Sequence, residues 1–171
     1  HIFELIMNTI DKFNFNNKKT IVRVDFNVPI EHDKVTDNSR IVAAKTTIEK
    51  IIFDGGSCIL MSHLGRPKGH DNNLSLQKIH AEVESVLKTK VILSRDVVGN
   101  DSIMKAKNLL NGQVLLLENL RFHKEETEGD LAFAKKLSSL ADCYVNDAFG
   151  TAHRAHAVSY THLTLPTRFS V

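Results

Sequence analysis

Residues 20–28 read TIVRVDFNV, and Pro29 follows them directly. Valine, isoleucine and threonine favour extended backbone, whereas proline cannot continue a central strand because it lacks the N–H that a neighbouring strand would bind. We therefore predict a buried strand over residues 20–28 that stops at the proline. Four further apolar runs of strand length follow along the chain: residues 57–61 (SCILM), 91–93 (VIL), 114–117 (VLLL) and 143–145 (CYV).

Segments of helical period separate these runs. In residues 39–53 the apolar side chains recur at three- and four-residue steps, which is typical of a helix that buries one face. Asn38 or Ser39 could cap its first turn, and the Gly55–Gly56 pair could end it in the left-handed conformation. The same spacing predicts helices over residues 75–87, near 102–110 and over 130–140, the last with an aspartate at its N-cap.

The alternation of continuous apolar strands with helices predicts an α/β fold. Such strands must be covered on both sides, so we expect a Rossmann-like open parallel sheet with helices on both faces, a three-layer αβα arrangement. The connections should be right-handed crossovers. At about 150 residues per domain, a chain of 171 residues corresponds to one domain.

Composition narrows the classes of function. Lysine and arginine (22) barely exceed aspartate and glutamate (20), tryptophan is missing, and no basic tail is visible, so we expect no nucleic-acid partner. The apolar runs are far shorter than the ~20 residues that span a bilayer, so we expect no membrane partner. Cys58 and Cys143 each sit in an apolar run, which predicts buried free thiols in a reducing cytoplasm.

Both ends of the chain depart from the pattern. Met7 resembles a translation start, so residues 1–6 are interpreted as a non-native upstream extension. Residues 158–171 (VSYTHLTLPTRFSV) resemble the in-frame translation of a transposon end and adapter from a sequencing library, and we interpret them as an artefactual tail. The domain is then residues 7–157, incomplete at its C-terminal end, and we expect its sheet to lack a final strand.

Polar side chains follow the predicted strands at their carboxyl ends, where open parallel sheets bind ligands. Asp25 and Asn27 follow the first strand, and Arg40 opens the first helix. The other strands are followed by residues 62–67 (SHLGRP), 118–123 (ENLRFH) and 146–147 (ND), and then by residues 150–156 (GTAHRAH). Arginine's planar fork suits carboxylate and phosphate oxygens, so this placement predicts a small ligand with two anionic ends.

Other interpretations of these residues stay open. A single loop arginine is more often a surface group, and a single histidine more often satisfies nearby backbone. His153 and His156 have the spacing of a zinc pair, but further ligands at metal spacing are missing. Asp25 and Glu118 could form an acid–base pair, although nothing in the spacing brings them together. Neither glycine-rich phosphate loop, G-x-x-x-x-G-K-[ST] or G-x-G-x-x-G, occurs.

Five motifs then identify a family. They are RVDFNVP (23–29), DNSRI (37–41), SHLGRP (62–67), LLENLRFHKEE (116–126) and YVNDAFGTAHRAHA (144–157). In this order they resemble the phosphoglycerate kinases, specifically the N-terminal domain that binds 3-phosphoglycerate. That family's nucleotide-binding lysines and glycine-rich loops have no counterpart in these residues, so the chain resembles a truncated member.

The resemblance implies reversible phosphoryl transfer between 1,3-bisphosphoglycerate and ADP, giving 3-phosphoglycerate and ATP in glycolysis. It implies that Asp25 and Asn27 hold the hydroxyl and carboxyl end of the substrate, and that Arg40 faces the transferred phosphoryl group as the catalytic residue. The phosphate would be held by His63, Arg66, Arg121 and Arg154. The full set of substrate-binding residues is Asp25, Phe26, Asn27, Arg40, His63, Leu64, Gly65, Arg66, Arg121 and Arg154.

The resemblance also implies Mg²⁺ with ATP or ADP, bound by the missing C-terminal domain, and a cytoplasmic monomer. Because the two domains must close around both substrates, we expect this chain alone to be inactive. The alternative is a non-catalytic, one-domain module that binds phosphorylated metabolites. Whether the coding sequence continues past Ala157 into a nucleotide domain separates the two hypotheses.

Overall fold

A parallel sheet forms the centre of the computed structural model, which describes residues 10–148 and the backbone of residues 167–170. In chain order the strands and α-helices are β1 (Lys19–Val24), β2 (Ile30–Glu31), β3 (Lys34–Val35), α1 (Ser39–Phe53), β4 (Ser57–Met61), α2 (His80–Leu87), β5 (Val91–Leu93), α3 (Asn100–Lys107), β6 (Val114–Leu116), α4 (Lys124–Glu128), α5 (Leu131–Ser138), β7 (Cys143–Asp147) and β8 (Thr167–Ser170). The sheet order is β5-β6-β4-β1-β7-β8, while β2 and β3 pair separately as an antiparallel hairpin.

Strand β1 lies at the point where the winding of the sheet reverses. From β1 the chain builds the side that holds β4, β5 and β6, and it then returns to place β7 against the opposite edge of β1. Arg23 therefore pairs in register with Met61 of β4 and Asn146 of β7. Because the strands are parallel, the segments after β1, β4, β6 and β7 all leave the sheet at one edge, where ligands bind in folds of this type.

Helices cover both faces of the sheet, which confirms the predicted three-layer α/β architecture. One face packs against α1 and α2, whose Ile41, Ile48 and Val83 are buried. The opposite face packs against α3 and α5 through residues that include Ala106 and Phe133. These side chains leave water on folding, and each fully buried aliphatic or aromatic group contributes roughly 1.5–3 kcal/mol.

Several predicted boundaries move for local reasons. The predicted strand over residues 20–28 ends at Val24, because the Asp25 carboxylate accepts the N–H of Asn27 at 3.1 Å and turns the backbone out of the sheet. The predicted helix over 75–87 divides into a 3₁₀ turn, Leu76–Ile79, followed by α2. Helix α3 spans Asn100–Lys107 instead of starting near 102.

Helix ends show which capping predictions hold. Asp130 caps α5 as predicted, since its carboxylate accepts the N–H of Phe133 at 2.8 Å. Gly55, with φ +93°, follows the end of α1 in the left-handed region, also as predicted. Asn38 occupies the N-cap of α1 but makes no capping bond with its side chain. Its amide donates instead to Glu82 at 2.7 Å, which ties α1 to α2.

The prediction of a missing final strand is wrong. The backbone of β8 pairs in parallel with β7, from Cys143 opposite Thr167 to Asn146 opposite Ser170. This strand falls inside residues 158–171, so the expectation of an uncovered edge at β7 does not hold. The non-native origin proposed for residues 1–6 and 158–171 remains a prediction, and residues 1–9 lie outside the described part of the chain.

The two cysteines lie on neighbouring positions of the sheet. Thr20 on β1 is in register with Cys58 on one side and Cys143 on the other, which places the thiols two strands apart. Strands are spaced about 4.8 Å, so the two α-carbons lie too far apart for a disulfide. Both thiols are free and buried, as predicted, and burial raises the pKa of each. Among the described residues, the helices are too short or too polar to cross a membrane.

Candidate functional site

The loop after β1 contacts the first turn of α1. Arg40 donates through Nη1 to the Asp25 carboxylate at 3.1 Å and to the backbone carbonyl of Asn27 at 2.9 Å. Both charged side chains are substantially solvent-exposed. The remaining N–H groups of the Arg40 guanidinium have no hydrogen-bond partner within residues 10–148 and can bind an anion at this edge.

Asn27 joins the loop after β1 to the loop after β4. Its side-chain oxygen accepts the backbone N–H of Gly65 at 2.8 Å. Gly65 adopts φ +63°, and a β-carbon at this position would lie 2.8 Å from a methyl carbon of Leu74. A side chain here would therefore strain the backbone and would have to displace Leu74.

A second junction forms after β6, around the fully buried side chain of Asn119. Its oxygen accepts the N–H groups of Leu64 (3.2 Å) and Arg121 (3.0 Å). Its amide donates to the carbonyls of Leu64 and Leu74, each at 2.8 Å. Arg121 then reaches back through Nη1 to the carbonyl of Gly65 at 3.1 Å. These bonds hold the loops after β4 and β6 in one arrangement.

His63 lies against a buried arginine of β1. The Arg23 Nη2 atom is 3.3 Å from Nδ1 of His63, and the residues are only 2% and 6% exposed. Burial, with the cationic groups of Arg23 and Arg121 nearby, lowers the pKa of His63 to about 3. The imidazole is therefore neutral at physiological pH and brings a polar group to the site without charge.

Arg66 and the residues beyond it give the edge its positive charge. Arg66 is exposed, and its guanidinium makes no hydrogen bond or ion pair with the described residues. A cleft of about 480 Å³ adjoins this region, lined in part by Arg121, Lys68 and Lys124. Asp25 supplies the one carboxylate among the predicted substrate-binding residues of the described chain. The arrangement can bind an anion at the arginines and accept a hydrogen bond from a hydroxyl group at the carboxylate.

The structure links five of the ten predicted substrate-binding residues in one hydrogen-bonded network. Asp25, Asn27, Arg40, Gly65 and Arg121 are linked by the hydrogen bonds given above, and Arg66 follows Gly65 directly. Phe26 and Leu64 belong to the hydrophobic core and face away from solvent. Arg154 lies outside the described residues, as do His153 and His156, which have the spacing of a zinc pair.

Glu118 has a structural role that excludes the proposed pairing with Asp25. One carboxylate oxygen accepts the N–H groups of Leu76 (2.8 Å) and Asn119 (2.7 Å), and the other accepts the hydroxyl of Ser75 at 2.6 Å. The side chain is buried, and these three donors use both of its oxygens. Glu118 therefore holds the chain entering the turn before α2 and does not face the site.

Three supporting residues were missed from the sequence. Asn119 and Ser62, whose hydroxyl accepts the N–H of Phe26 at 2.9 Å, position the loops. Arg23 was overlooked although it carried a signal, since a charged residue inside the apolar run IVRV requires a buried partner. One such partner is Glu126 of α4, whose carboxylate lies 3.6 Å from Nη1 of Arg23.

The end of β7 carries a further carboxylate. Asp147 ends β7, and burial raises the pKa of its carboxyl group, partly offset by a hydrogen bond with Thr47 of α1. Its second oxygen has no hydrogen-bond partner within the described residues. Asn146 accepts the N–H of Ala148 at 3.1 Å.

Sequence comparison with known proteins identifies the family to which this chain is similar. The phosphoglycerate kinase family model matches residues 10–168. The phosphoglycerate kinase of Moorella thermoacetica is 55% identical over 150 residues, which cover 87% of this chain and 38% of the relative. That of Porphyromonas gingivalis is 49% identical over 174 residues, covering 87% of this chain and 41% of the relative.

Solved structures agree with the sequence comparison. Phosphoglycerate kinase from Coxiella burnetii matches 95% of this chain and 41% of its own, with a TM-score of 0.82 and 32% identity. The enzyme from Pyrococcus horikoshii matches 95% of this chain and 42% of its own, with a TM-score of 0.83 and 32% identity. The chain thus spans about two fifths of the length of these relatives. The chain belongs to the phosphoglycerate kinase family.

Proposed function

We propose that this chain forms the 3-phosphoglycerate site of a phosphoglycerate kinase, which transfers a phosphoryl group reversibly between 1,3-bisphosphoglycerate and ADP to give 3-phosphoglycerate and ATP. The observation that carries the proposal is the hydrogen-bonded edge after β1, β4 and β6. There one carboxylate, one amide, three arginines (Arg40, Arg66 and Arg121) and a neutral histidine follow the ends of neighbouring strands.

The proposed roles follow from the donors and acceptors that each residue offers. Asp25 accepts a hydrogen bond from the substrate hydroxyl, and the side-chain NH2 group of Asn27 donates to the carboxyl end. Arg66 and Arg121 bind the phosphate, with Arg154 added from outside the described residues, and His63 donates one neutral hydrogen bond. Fixed cations suit this chemistry, because phosphoryl transfer depends mainly on positioning and charge stabilisation.

Arg40 is the proposed catalytic residue. Its guanidinium is half-exposed at the start of α1 and is held from one side by Asp25. The free N–H groups on its other side can face the phosphoryl group during transfer. We expect Arg40→Ala to weaken 3-phosphoglycerate binding less than Arg66→Ala does, since an interaction made mainly in the transition state contributes little to ground-state affinity.

Phe26, Leu64 and Gly65 are proposed to shape the site without binding the ligand through free N–H groups. The backbone N–H of each one already bonds within the protein: Phe26 to Ser62, Leu64 to Asn119 and Gly65 to Asn27. Their contribution is to hold Asn27 and Arg121 in place.

Mg²⁺ with ATP or ADP is proposed to bind outside the described residues. Within residues 10–148 there is no group of three or more histidine, cysteine, aspartate or glutamate side chains that could hold a metal ion. The relatives extend well beyond the segment that this chain matches, and we place the nucleotide-binding residues there. We further propose a cytoplasmic monomer, and the two buried free thiols support the reducing compartment.

Calorimetric titration of the 171-residue chain with 3-phosphoglycerate and with Mg–ATP, separately, tests the proposal. We expect one-to-one binding of 3-phosphoglycerate, no binding of Mg–ATP, and no ATP formation from 1,3-bisphosphoglycerate and Mg–ADP. Arg66→Ala should weaken 3-phosphoglycerate binding about tenfold or more. Arg95→Ala, which removes an exposed arginine after β5, is the matched control. Failure of a chain shown to be folded by circular dichroism to bind 3-phosphoglycerate would overturn the proposal.

A further inference from the structure

Arg23 is an unusual residue for the centre of a parallel sheet. It lies on β1 between β4 and β7 and is 2% exposed, and burial lowers the pKa of its guanidinium. An ion pair with Glu126 alone would be expected to align the two groups closely. The separation is 3.6 Å, and Nε and Nη1 of Arg23 make no hydrogen bond with the described residues.

The hydrogen bond that Arg23 does make goes to His63. Nη2 approaches Nδ1 of the imidazole at 3.3 Å. A guanidinium has only donors, so the nitrogen that it contacts must present a lone pair. A neutral imidazole carries one proton, which must then be on Nε2. Within residues 10–148, that Nε2 has no hydrogen-bond partner.

We propose that Arg23 is a positioning residue that fixes the tautomer of His63, so that the imidazole presents its Nε2–H to an anionic oxygen of the ligand. The identity of that ligand rests on the proposed function, whereas the tautomer does not. Arg23 does not touch the ligand in this account. It acts through His63, which ensures that this position offers a donor instead of a lone pair that would repel an anion.

Surrounding charges support a neutral donor. His63 faces Arg23 of β1, Arg121 after β6 and Arg40 of α1, and Asp25 is the acidic group acting on it. Adding a proton would place a further cation among three guanidinium groups in a buried position. The imidazole therefore keeps the same single proton throughout the physiological range, which makes its donor role independent of pH.

Nitrogen NMR of the full 171-residue chain, labelled with ¹⁵N-histidine, tests the tautomer directly. Multiple-bond correlation spectra distinguish a protonated from an unprotonated ring nitrogen, and the His63→Gln variant identifies the signals of His63 by their loss. We expect protonated Nε2 and unprotonated Nδ1 from pH 5 to pH 8. A proton on Nδ1 in the folded wild-type chain would overturn the proposal.

A charge-balanced pair of variants separates positioning from structural support. Arg23→Met combined with Glu126→Gln removes both buried charges together, and Glu126→Gln alone leaves the contact between Arg23 and His63. We expect a mixture of tautomers and a raised His63 pKa only in the double variant. An unchanged tautomer and titration in the folded double variant would mean that Arg23 is structural only. If the double variant does not fold, the wild-type spectrum alone tests the proposal: a proton on Nε2 supports it, and a proton on Nδ1 overturns it.

Binding of 3-phosphoglycerate provides a second readout. At pH 8 the double variant should bind about two- to fourfold more weakly, because only part of its His63 population presents Nε2–H. The ratio of variant to wild-type affinity should then rise as the pH falls toward 5, as His63 becomes a cation. A ratio that does not change with pH would contradict the proposal. Absence of 3-phosphoglycerate binding together with the expected tautomer would overturn the proposed function and leave the role of Arg23 intact.

Discussion

The side-chain oxygen of Asn27 accepts the backbone N–H of Gly65 at 2.8 Å, which joins the loops that leave the adjacent strands β1 and β4. The carbonyl of the same Gly65 accepts from Arg121 at 3.1 Å, so the loop after β6 joins the same structure. A single glycine thus connects the segments that carry the proposed hydroxyl, carboxyl and phosphate contacts. Positioning of this kind matters most for a reaction that is catalysed by orientation and charge.

Removing the Asn27 side chain should loosen this connection. Asn27→Ala leaves the half-buried N–H of Gly65 without its acceptor, and we expect the free energy of unfolding to fall by about 1–2 kcal/mol. We also expect 3-phosphoglycerate affinity to fall about tenfold, since one contact and one loop position are lost together. Urea unfolding and calorimetry check both quantities. Asn73→Ala is the control, because Asn73 is exposed and forms no side-chain hydrogen bond in the described residues; equal effects in the two variants would contradict the role of Asn27.

A methyl group at Gly65 should be costly for two reasons. Its β-carbon would lie 2.8 Å from a Leu74 methyl carbon, and φ is +63°. We expect Gly65→Ala to lower the free energy of unfolding by about 2–4 kcal/mol in urea titrations. Gly112→Ala provides a control with φ +87° and no atom within 4 Å of the added carbon, so only the backbone cost of about 1 kcal/mol applies. A loss at Gly65 no larger than that at Gly112 would show that Leu74 moves aside freely.

Loss of the Glu118 side chain should affect stability more than a typical surface carboxylate does. Glu118→Ala leaves the N–H groups of Leu76 and Asn119 and the hydroxyl of Ser75 without their acceptor, and we expect a loss of about 2–4 kcal/mol by urea unfolding. Glu49→Ala removes an exposed partner of Lys45 on α1 and should cost less than about 0.5 kcal/mol. A Glu118 variant as stable as the Glu49 variant would rule out the structural role given to Glu118.

Stability should decrease in mild acid because of His63. The pKa of His63 is about 3 in the folded chain and near 6.5 when unfolded, so below pH 6.5 the unfolded chain binds a proton that the folded chain excludes. The free energy of unfolding should therefore fall as the pH drops from about 6.5 toward 3, by at most about 1.4 kcal/mol per pH unit from this group. Above pH 6.5 the contribution of His63 is constant.

Urea unfolding between pH 7.5 and pH 4.5 measures this dependence against two variants. His63→Gln removes the titrating group and should flatten the curve, while His70→Gln, which replaces an exposed histidine, is the matched control. Comparison of curves cancels contributions from other groups, such as Asp147, whose pKa is raised by burial. Parallel curves for wild type and His63→Gln would contradict the neutral, buried state of His63.

Local sequence pattern predicted the sheet and helices well where one segment determines its own structure. The bounds of α1, β4 and β5 agree with the sequence prediction, because continuous apolar runs and helical spacing are local properties. The end of β1 was misplaced since the deciding bond, from Asn27 to Asp25, replaces strand pairing with a turn. Strand β8 was missed because its segment was interpreted as an artefactual tail and shows no strand-like apolar pattern, although its backbone pairs with β7.

The candidate site was predictable in its charged residues but not in the groups that support them. Arginines after successive strands could be placed at one edge from topology alone. The roles of Arg23 and Glu118 depend on partners far along the chain, His63 and Ser75, which no local pattern reveals. Likewise, only the folded structure shows that the N–H groups of Leu64 and Gly65 are already bonded within the protein.

Arginine side-chain NMR during titration with 3-phosphoglycerate tests the central claim most directly. We predict saturable shifts in the Nε signals of Arg40, Arg66 and Arg121, a shift at His63, and none at Arg95, all described by one dissociation constant. Such a pattern would locate the substrate at the edge formed after β1, β4 and β6. A folded chain whose signals do not shift, or whose shifts lie at Arg95 and leave these residues unchanged, would contradict the account.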